Sequence, residues 1–195
     1  LPDADEITPP ALRDEILAVA RAPNRTEVAF HVRSRTMFMG RWLRWSGLYP
    51  TWFVRLVEPH RVRFEREINL RTVADGPEGK LDGHLLHYTF NKGLNAWLEK
   101  HNRYSWHEAR ESLRSLETER VDWLAALIGS GAARRRALKT LSFRLPCRPL
   151  LRFLYMYVLR GGFLDGRAGF VYCGLLMTYE TMIVTKMIEI RRRER

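Results

Sequence analysis

Residues 1–23, LPDADEITPPALRDEILAVARAP, followed by VAFHVRSR at 28–35, decide the fold class. The first stretch reads as a strand end, an acidic loop and then a helix from about Pro10 to Ala22. Thr8 can cap that helix, Pro9 and Pro10 suit its first turn, and Leu12, Ile16, Leu17 and Ala20 supply an apolar stripe. The second stretch alternates Val, Phe and Val with polar residues, the period of a half-buried strand. A helix set among strands predicts a mixed α/β layer.

Further along, MFMGRWLRWSGLYPTWFVRLVEP (37–59) is aromatic and basic, with glycines and a proline punctuating loops around a strand at Trp52 to Val57. Arg61 to Asn69 suggests another strand, DGPEG at 75–79 a turn, and Lys80 to Tyr88 the last strand of this half. From Lys92 the pattern becomes helical and runs to Gly129 and Gly131. Pro146 and Pro149 then separate a basic helix from an apolar one, and GGFLDG (161–166) separates that one from the last. No internal repeat or low-complexity linker intervenes. The organisation expected is an α/β part over 1–91 and a helical part over 92–195.

With 46% hydrophobic and 28% charged residues among 195, the chain can build a packed core and is not intrinsically disordered. Cys147 and Cys173 have neither zinc-finger spacing nor a disulfide framework and read as small apolar fillers in a reducing compartment. Leu1 stands directly before the acidic motif, which reads as a chain truncated at its N-terminus. The net charge is +11, but residues 130–195 carry +10 of it and residues 1–129 only +1. In that basic third, Arg144, Arg148, Arg152 and Arg160 interleave with large apolar side chains, which suits an anionic membrane surface better than nucleic acid. The alternative is a basic helical subdomain whose arginines are solvated. A membrane span needs about 20 apolar residues. Ala168 to Tyr179, between Arg167 and Glu180, is shorter, so a helix lying in the membrane interface is expected. No Walker loop, GxGxxG, HExxH, GxSxG or paired CxxC occurs, which leaves kinase, dehydrogenase, zinc-protease and serine-hydrolase readings without support.

Asp3-Ala4-Asp5 is the first chemical signal. Two carboxylates one residue apart at a strand end can face a hard divalent cation whose other positions a nucleotide diphosphate fills. The same acidic run before a helix is also a favourable N-terminal charge arrangement. Taken with GRWLRWSGLYPTWFVRLVEP, HYTFNKGLNAWLEKHNRYSWHEA and FRLPCRPLLRFLYMYVLRGGFLDGRAGFVYC, the opening segment resembles bacterial family 2 glycosyltransferases. The branch is the one acting in lipopolysaccharide core and exopolysaccharide synthesis. The NRYS and GGFLDG pairing carries most of the resemblance.

The resemblance implies the C-terminal part of a GT-A (Rossmann-like) catalytic domain, without its N-terminal nucleotide-binding half, followed by a helical, amphipathic, membrane-associating tail. It implies Mg or Mn held by Asp3 and Asp5, the DxD motif, and by His87, with His84 as the local rival on the opposite face of the strand. It also implies a nucleotide-sugar donor, a lipid-linked or glycolipid acceptor, the cytoplasmic face of the bacterial inner membrane, and no nucleic acid. Inverting transfer needs a carboxylate base. Leu70 occupies the position where relatives carry an acid, so Glu67 is the expected base, with Glu65 and Asp75 as substitutes. Trp52 is expected to stack on a sugar, and Arg103 and Tyr104 to contact phosphates or acceptor. A noncatalytic membrane-peripheral module of an envelope assembly complex is the second reading, and an RNA-binding basic protein the third.

Overall fold

The computed structural model describes residues 3–65, 71–118, 128–142 and 147–194. They fall into two units, one of Leu1–Asn91 with Leu164–Ala168, the other of Lys92–Phe163 with Gly169–Arg195.

The first unit sets helix α1 (Pro10–Arg21) on a mixed sheet of β1 (Glu6–Ile7), β2 (Ala29–Phe38), β3 (Arg41–Trp42), β4 (Thr51–Val57) and β7 (Glu78–His87). A separate antiparallel pair joins β5 (Val62–Glu65) to β6 (Arg71–Ala74). The mixed α/β class read from the sequence is the class observed. β2 lies at the centre, parallel to β7 and antiparallel to β4, while β1 runs antiparallel along the other side of β7. At its end β2 turns into β3 through Met39 and Gly40, both at positive φ (50° and 74°). This is the two-residue geometry that matches the twist of a hairpin.

Period 2 along β2 and β7 sends Phe30, Val32, Leu81 and Leu85 to one face, where they close over Leu12 of α1. Ile16, Val19 and Leu56 complete this core, and each such side chain fully buried contributes about 1.5–3 kcal/mol. The helical stripe therefore runs through residues 12, 16 and 19. Leu17 points outward at 42% exposure, because the sheet contacts a narrower arc of the helix than the sequence suggested. Thr8 does not cap the helix: Pro9 is the N-cap, in extended conformation, and no side chain bonds the first turn. The tie between helix and sheet is made by Glu15 instead, whose carboxylate accepts the backbone N–H of Asp82 at 2.6 Å and of Gly83 at 2.8 Å. These amides are free because β7 bulges there, with Lys80 opposite His31 but His84 opposite Arg33.

The second unit consists of α2 (Gly93–Thr118), α3 (Gly131–Ser142), α4 (Arg148–Leu154), which runs into a π-helical turn (Tyr155–Leu159), and α5 (Gly166–Arg193). Ala109 and Leu113 of α2 pack against Ile183 and Met187 of α5, with Leu116, Tyr179 and Ile190 around them. Beside this seam Lys186 Nζ donates to the Asn102 carbonyl oxygen (2.5 Å), Asn102 Oδ1 (2.6 Å) and Ser105 Oγ (2.7 Å). Arg148 meets the buried Glu180 at 2.9 Å, with Arg152 3.8 Å away, so two arginines expected at a lipid surface instead hold α4 to α5. Arg144 lies outside the described residues. Cys173 is buried as expected, whereas Cys147 is exposed.

The outer side of α4 and its π turn is apolar. Leu150, Leu154 and Val158 form one row and Leu151, Tyr155 and Leu159 the next, at 43–78% exposure. In an α-helix such i, i+4 rows drift around the axis, and the wider π turn takes back part of that drift, so the stripe stays on one side.

Gly83 permits the approach of α1: a Cβ there would lie 2.9 Å from Cβ and Cδ1 of Leu12 and 3.0 Å from the Glu15 carboxylate. Gly83→Ala should therefore destabilise the fold by about 1–3 kcal/mol. Urea unfolding followed by circular dichroism measures this, and an unchanged midpoint would show that α1 gives way freely.

Candidate functional site

Pairing of β1 with β7 sets Glu6 opposite His87, and the Tyr88 N–H donates to the Asp5 carbonyl oxygen at 2.8 Å. Asp5 and His87, 82 positions apart in sequence, are thereby brought together, with Oδ2 and Nε2 3.3 Å apart and both side chains half-buried. Asp3 goes elsewhere. Its carboxylate accepts from Arg55 Nη2 at 2.9 Å, and its own N–H donates to Glu6 Oε2 at 3.1 Å. The Glu6 side chain has no exposed surface and takes two parallel bonds of 2.8 Å from Arg55 Nε and Nη2.

Arg55 reaches this cluster because it is the extra residue of a β-bulge: Leu56 stands opposite Phe30 and Val54 opposite His31, leaving Arg55 unpaired in the ladder. Burial acts against its charge, but the hydrogen bond to Glu6 and the charges of Glu6, Asp3 and Asp5 outweigh burial and raise its pKa above the ordinary arginine value.

Among the described residues, no group of three or more His, Cys, Asp or Glu is placed to hold a metal ion. Asp5 and His87 offer one carboxylate and one imidazole. That donor set suits Mn or Mg where diphosphate oxygens supply most of the shell. Asp3 can join it only by leaving Arg55. Glu67, with Asn69 and Leu70, lies outside the described residues. Glu65 is at the end of β5, 3.4 Å from Arg63.

The opposite face of the sheet carries a different chemistry. β4, β2 and β7 align Trp52, Arg33 and His84 in one row, while His87 shares its row with Thr36 on the α1 side. Trp52 is thus not on the face of His87, and two cations lie near its ring, the Arg33 guanidinium at 5.5 Å and Lys80 Nζ at 5.3 Å. Trp45, 41% exposed, has the more open ring. Arg35 stacks over Trp42 at 4.2 Å, with Tyr49 edge-on to the same indole. Burial, then the charges of Arg35 and Arg33, lower the pKa of His84 and favour its neutral form. Arg103 and Tyr104 are exposed on α2 in the second unit, Tyr104 with Lys100 5.7 Å from its ring.

Asp165 of the GGFLDG segment, read from the sequence as helix punctuation, is a buried carboxylate at 4% exposure. It accepts the backbone N–H groups of Arg44 (3.1 Å), Trp45 (3.0 Å) and Ser46 (2.8 Å) and the Ser46 hydroxyl (2.7 Å). Three successive amides converging on one carboxylate form an anion-binding nest, here filled from within the chain. The sequence signals for Arg55 and Asp165 were faint, since each is a single charge in a segment read for its aromatics or its glycines.

No family model matches the chain, and no solved structure matches it significantly. One helical run, Gly162–Arg193, is by length and composition long and apolar enough to cross a membrane, with a best window of mean hydropathy 1.2, whereas the stretch Ala168 to Tyr179 marked by the sequence is too short to span.

Asp165→Ala should leave three amides and a hydroxyl unpaired and cost about 3 kcal/mol or more, while Asp165→Asn, which keeps one acceptor, should cost less. Denaturation with Trp45 fluorescence as reporter checks both. Equal stability of the wild type and the alanine variant would mean that water satisfies the nest.

Proposed function

We propose that the chain is the C-terminal part of a GT-A-type, metal-dependent, inverting glycosyltransferase. It would move a sugar from a nucleotide-sugar donor to a lipid-linked glycan at the cytoplasmic face of the bacterial inner membrane. The observation that supports this reading best is the meeting of Asp5 and His87, two ligand types from distant parts of the chain, beside an acidic motif ordered by Arg55. The resemblance to family 2 glycosyltransferases names the chemistry.

In this reading Asp5 and His87, joined by Asp3 if released from Arg55, would hold Mn or Mg, which would supply charge neutralisation for the departing diphosphate. Glu67 accepts the proton of the acceptor hydroxyl as the oxygen bonds to the anomeric carbon, while the bond from that carbon to the diphosphate breaks and the nucleoside diphosphate leaves with the electron pair. Neutralisation of Asp3 and Glu6 by Arg55 favours a second reading, a noncatalytic module in which the acidic motif is purely structural.

The membrane side of the proposal is supported by the exposed apolar rows on α4 and its π turn. The sequence has no acidic residue between Asp122 and Asp165 and eight lysines and arginines there, six besides the Arg148 and Arg152 that Glu180 engages. Such a surface suits an anionic bilayer, with the apolar rows in the acyl boundary and the cations among the headgroups.

Asp5→Ala or His87→Ala in the full-length protein should lower transfer about 100-fold or more, the scale for losing a group that stabilises developing charge. A chelator should abolish transfer and Mn or Mg restore it. Full activity in both variants would remove this metal assignment, and absence of transfer from any nucleotide sugar by the wild type would leave the structural module.

The combined substitution Leu151→Asp and Leu159→Asp should weaken binding to phosphatidylglycerol vesicles by about tenfold or more. Leu94→Asp, at an exposed position on α2, should not. Sedimentation with vesicles decides, and equal binding by all three proteins would show that the rows face something other than lipid.

A further inference from the structure

Arg33 and Arg35 lie two positions apart on β2 and so project from the same face, with α-carbons about 7 Å apart. His84 stands opposite Arg33 on β7, and Lys80 one row further, opposite His31. Glu78, in the row of Ala29, is a carboxylate on this face and is bonded to His31; beyond it the like charges repel and cost stability unless an anion joins them. Neither arginine makes a hydrogen bond or an ion pair among the described residues, and Nε of both is buried with no partner, as is Nε1 of Trp42. The two guanidinium groups lie over indole rings, Arg35 close to Trp42 at 4.2 Å and Arg33 more loosely by Trp52 at 5.5 Å. Stacking fixes the plane of an arginine and leaves its N–H edges for bidentate contact with an oxyanion. Buried donors of this kind are otherwise costly, at about 1–3 kcal/mol each.

We infer that Arg33 and Arg35, through their terminal Nη groups, form a binding site for a substrate diphosphate, separate from Asp5 and His87. The separation follows from the register: the arginine row is on the sheet face opposite α1, and His87 is on the face of α1. One diphosphate does not occupy both. The inference rests on the transferase reading for the identity of its ligand, because that reaction brings two phosphate-bearing molecules, the nucleotide-sugar donor and a lipid-linked acceptor. A neutral His84 beside the arginines adds a hydrogen-bond donor without a further fixed charge.

Calorimetry on the full-length protein with inorganic diphosphate, uridine diphosphate and farnesyl diphosphate tests the site. Arg33→Lys and Arg35→Lys keep the charge and the contact with the indole but lose the fork. Each should weaken diphosphate binding by about tenfold or more. Arg63→Lys, whose side chain is 74% exposed on β5, should leave it unchanged. The organic ligand whose affinity falls with the inorganic probe identifies the source: farnesyl diphosphate means the acceptor side, whereas uridine diphosphate means the donor and would overturn its placement at Asp5 and His87. Quenching of tryptophan fluorescence in the wild type by diphosphate gives a second readout that does not depend on the variants folding. No diphosphate binding at millimolar concentration, or binding indifferent to both lysine substitutions, overturns the site. Arginine-dependent binding without any sugar transfer would sink the transferase reading and keep the site, and transfer with arginine-independent binding would do the reverse.

Discussion

A carboxylate with no exposed surface stays ionised only when its charge is met inside the protein, and at Glu6 Arg55 meets it with two bonds of 2.8 Å. Breaking such a pair from one side leaves a buried charge unpaired, at about 3–5 kcal/mol. The constraint reaches well beyond one interaction. In the sheet order β1 and β4 are separated by β7 and β2, so the Glu6–Arg55 contact exists only because the sheet curls and because a bulge gives Arg55 a direction that regular pleating would not. With Glu6 fixed, Asp3 is drawn to the same guanidinium and Asp5 is left beside His87. The acidic motif is thus divided between a structural pair and a free one by a single arginine 49 positions from Glu6.

The same sheet sorts its charges by face. On the α1 side Glu15 is matched to two bulge amides and Glu6 to Arg55, although the buried Ser34 hydroxyl has no partner among the described residues. On the other side Arg33, Arg35 and Lys80 stand among Trp42 and Trp52. Alternation with period 2 makes this separation automatic once Phe30 and Val32 are committed to the core, since the residues between them can face only outward. The carboxylate that alternation brings to this face, Glu78 in the row of Ala29, is bonded to His31 and leaves the two arginines without an ion pair among the described residues.

The parts of the fold that obey a period were legible in the sequence. Leu12 and Ile16 mark α1, and the alternation at 28–35 marks β2. Thr8 and Leu17 misled because capping and burial at a helix end depend on what the helix packs against, which no local pattern encodes. Bulges were invisible for a related reason. An extra residue in one strand is defined only by its partner, so Arg55 and the Asp82–Gly83 amides acquire their roles through pairings that their own segments do not announce. For Trp52 residue type alone suggests a sugar platform, while the cross-strand row adds what no local pattern encodes, Arg33 and Lys80 near its ring.

Two anion-binding arrangements in the first unit differ in a way that separates structure from ligand. The nest at Arg44, Trp45 and Ser46 converges on Asp165, so the donors are satisfied and the anion is covalently part of the chain. A phosphate would have to displace a buried carboxylate with four hydrogen bonds, which makes this nest a poor ligand site however well its geometry suits an oxyanion. Arg33 and Arg35 lie over the indoles of Trp52 and Trp42, yet Nε of each is buried with no acceptor among the described residues. Rigidity without satisfaction is costly in a folded protein and is tolerated where a partner from outside completes the hydrogen bonds. By that criterion the arginine row, and not the loop with the more familiar anion-binding shape, is where the first unit is prepared for a phosphate.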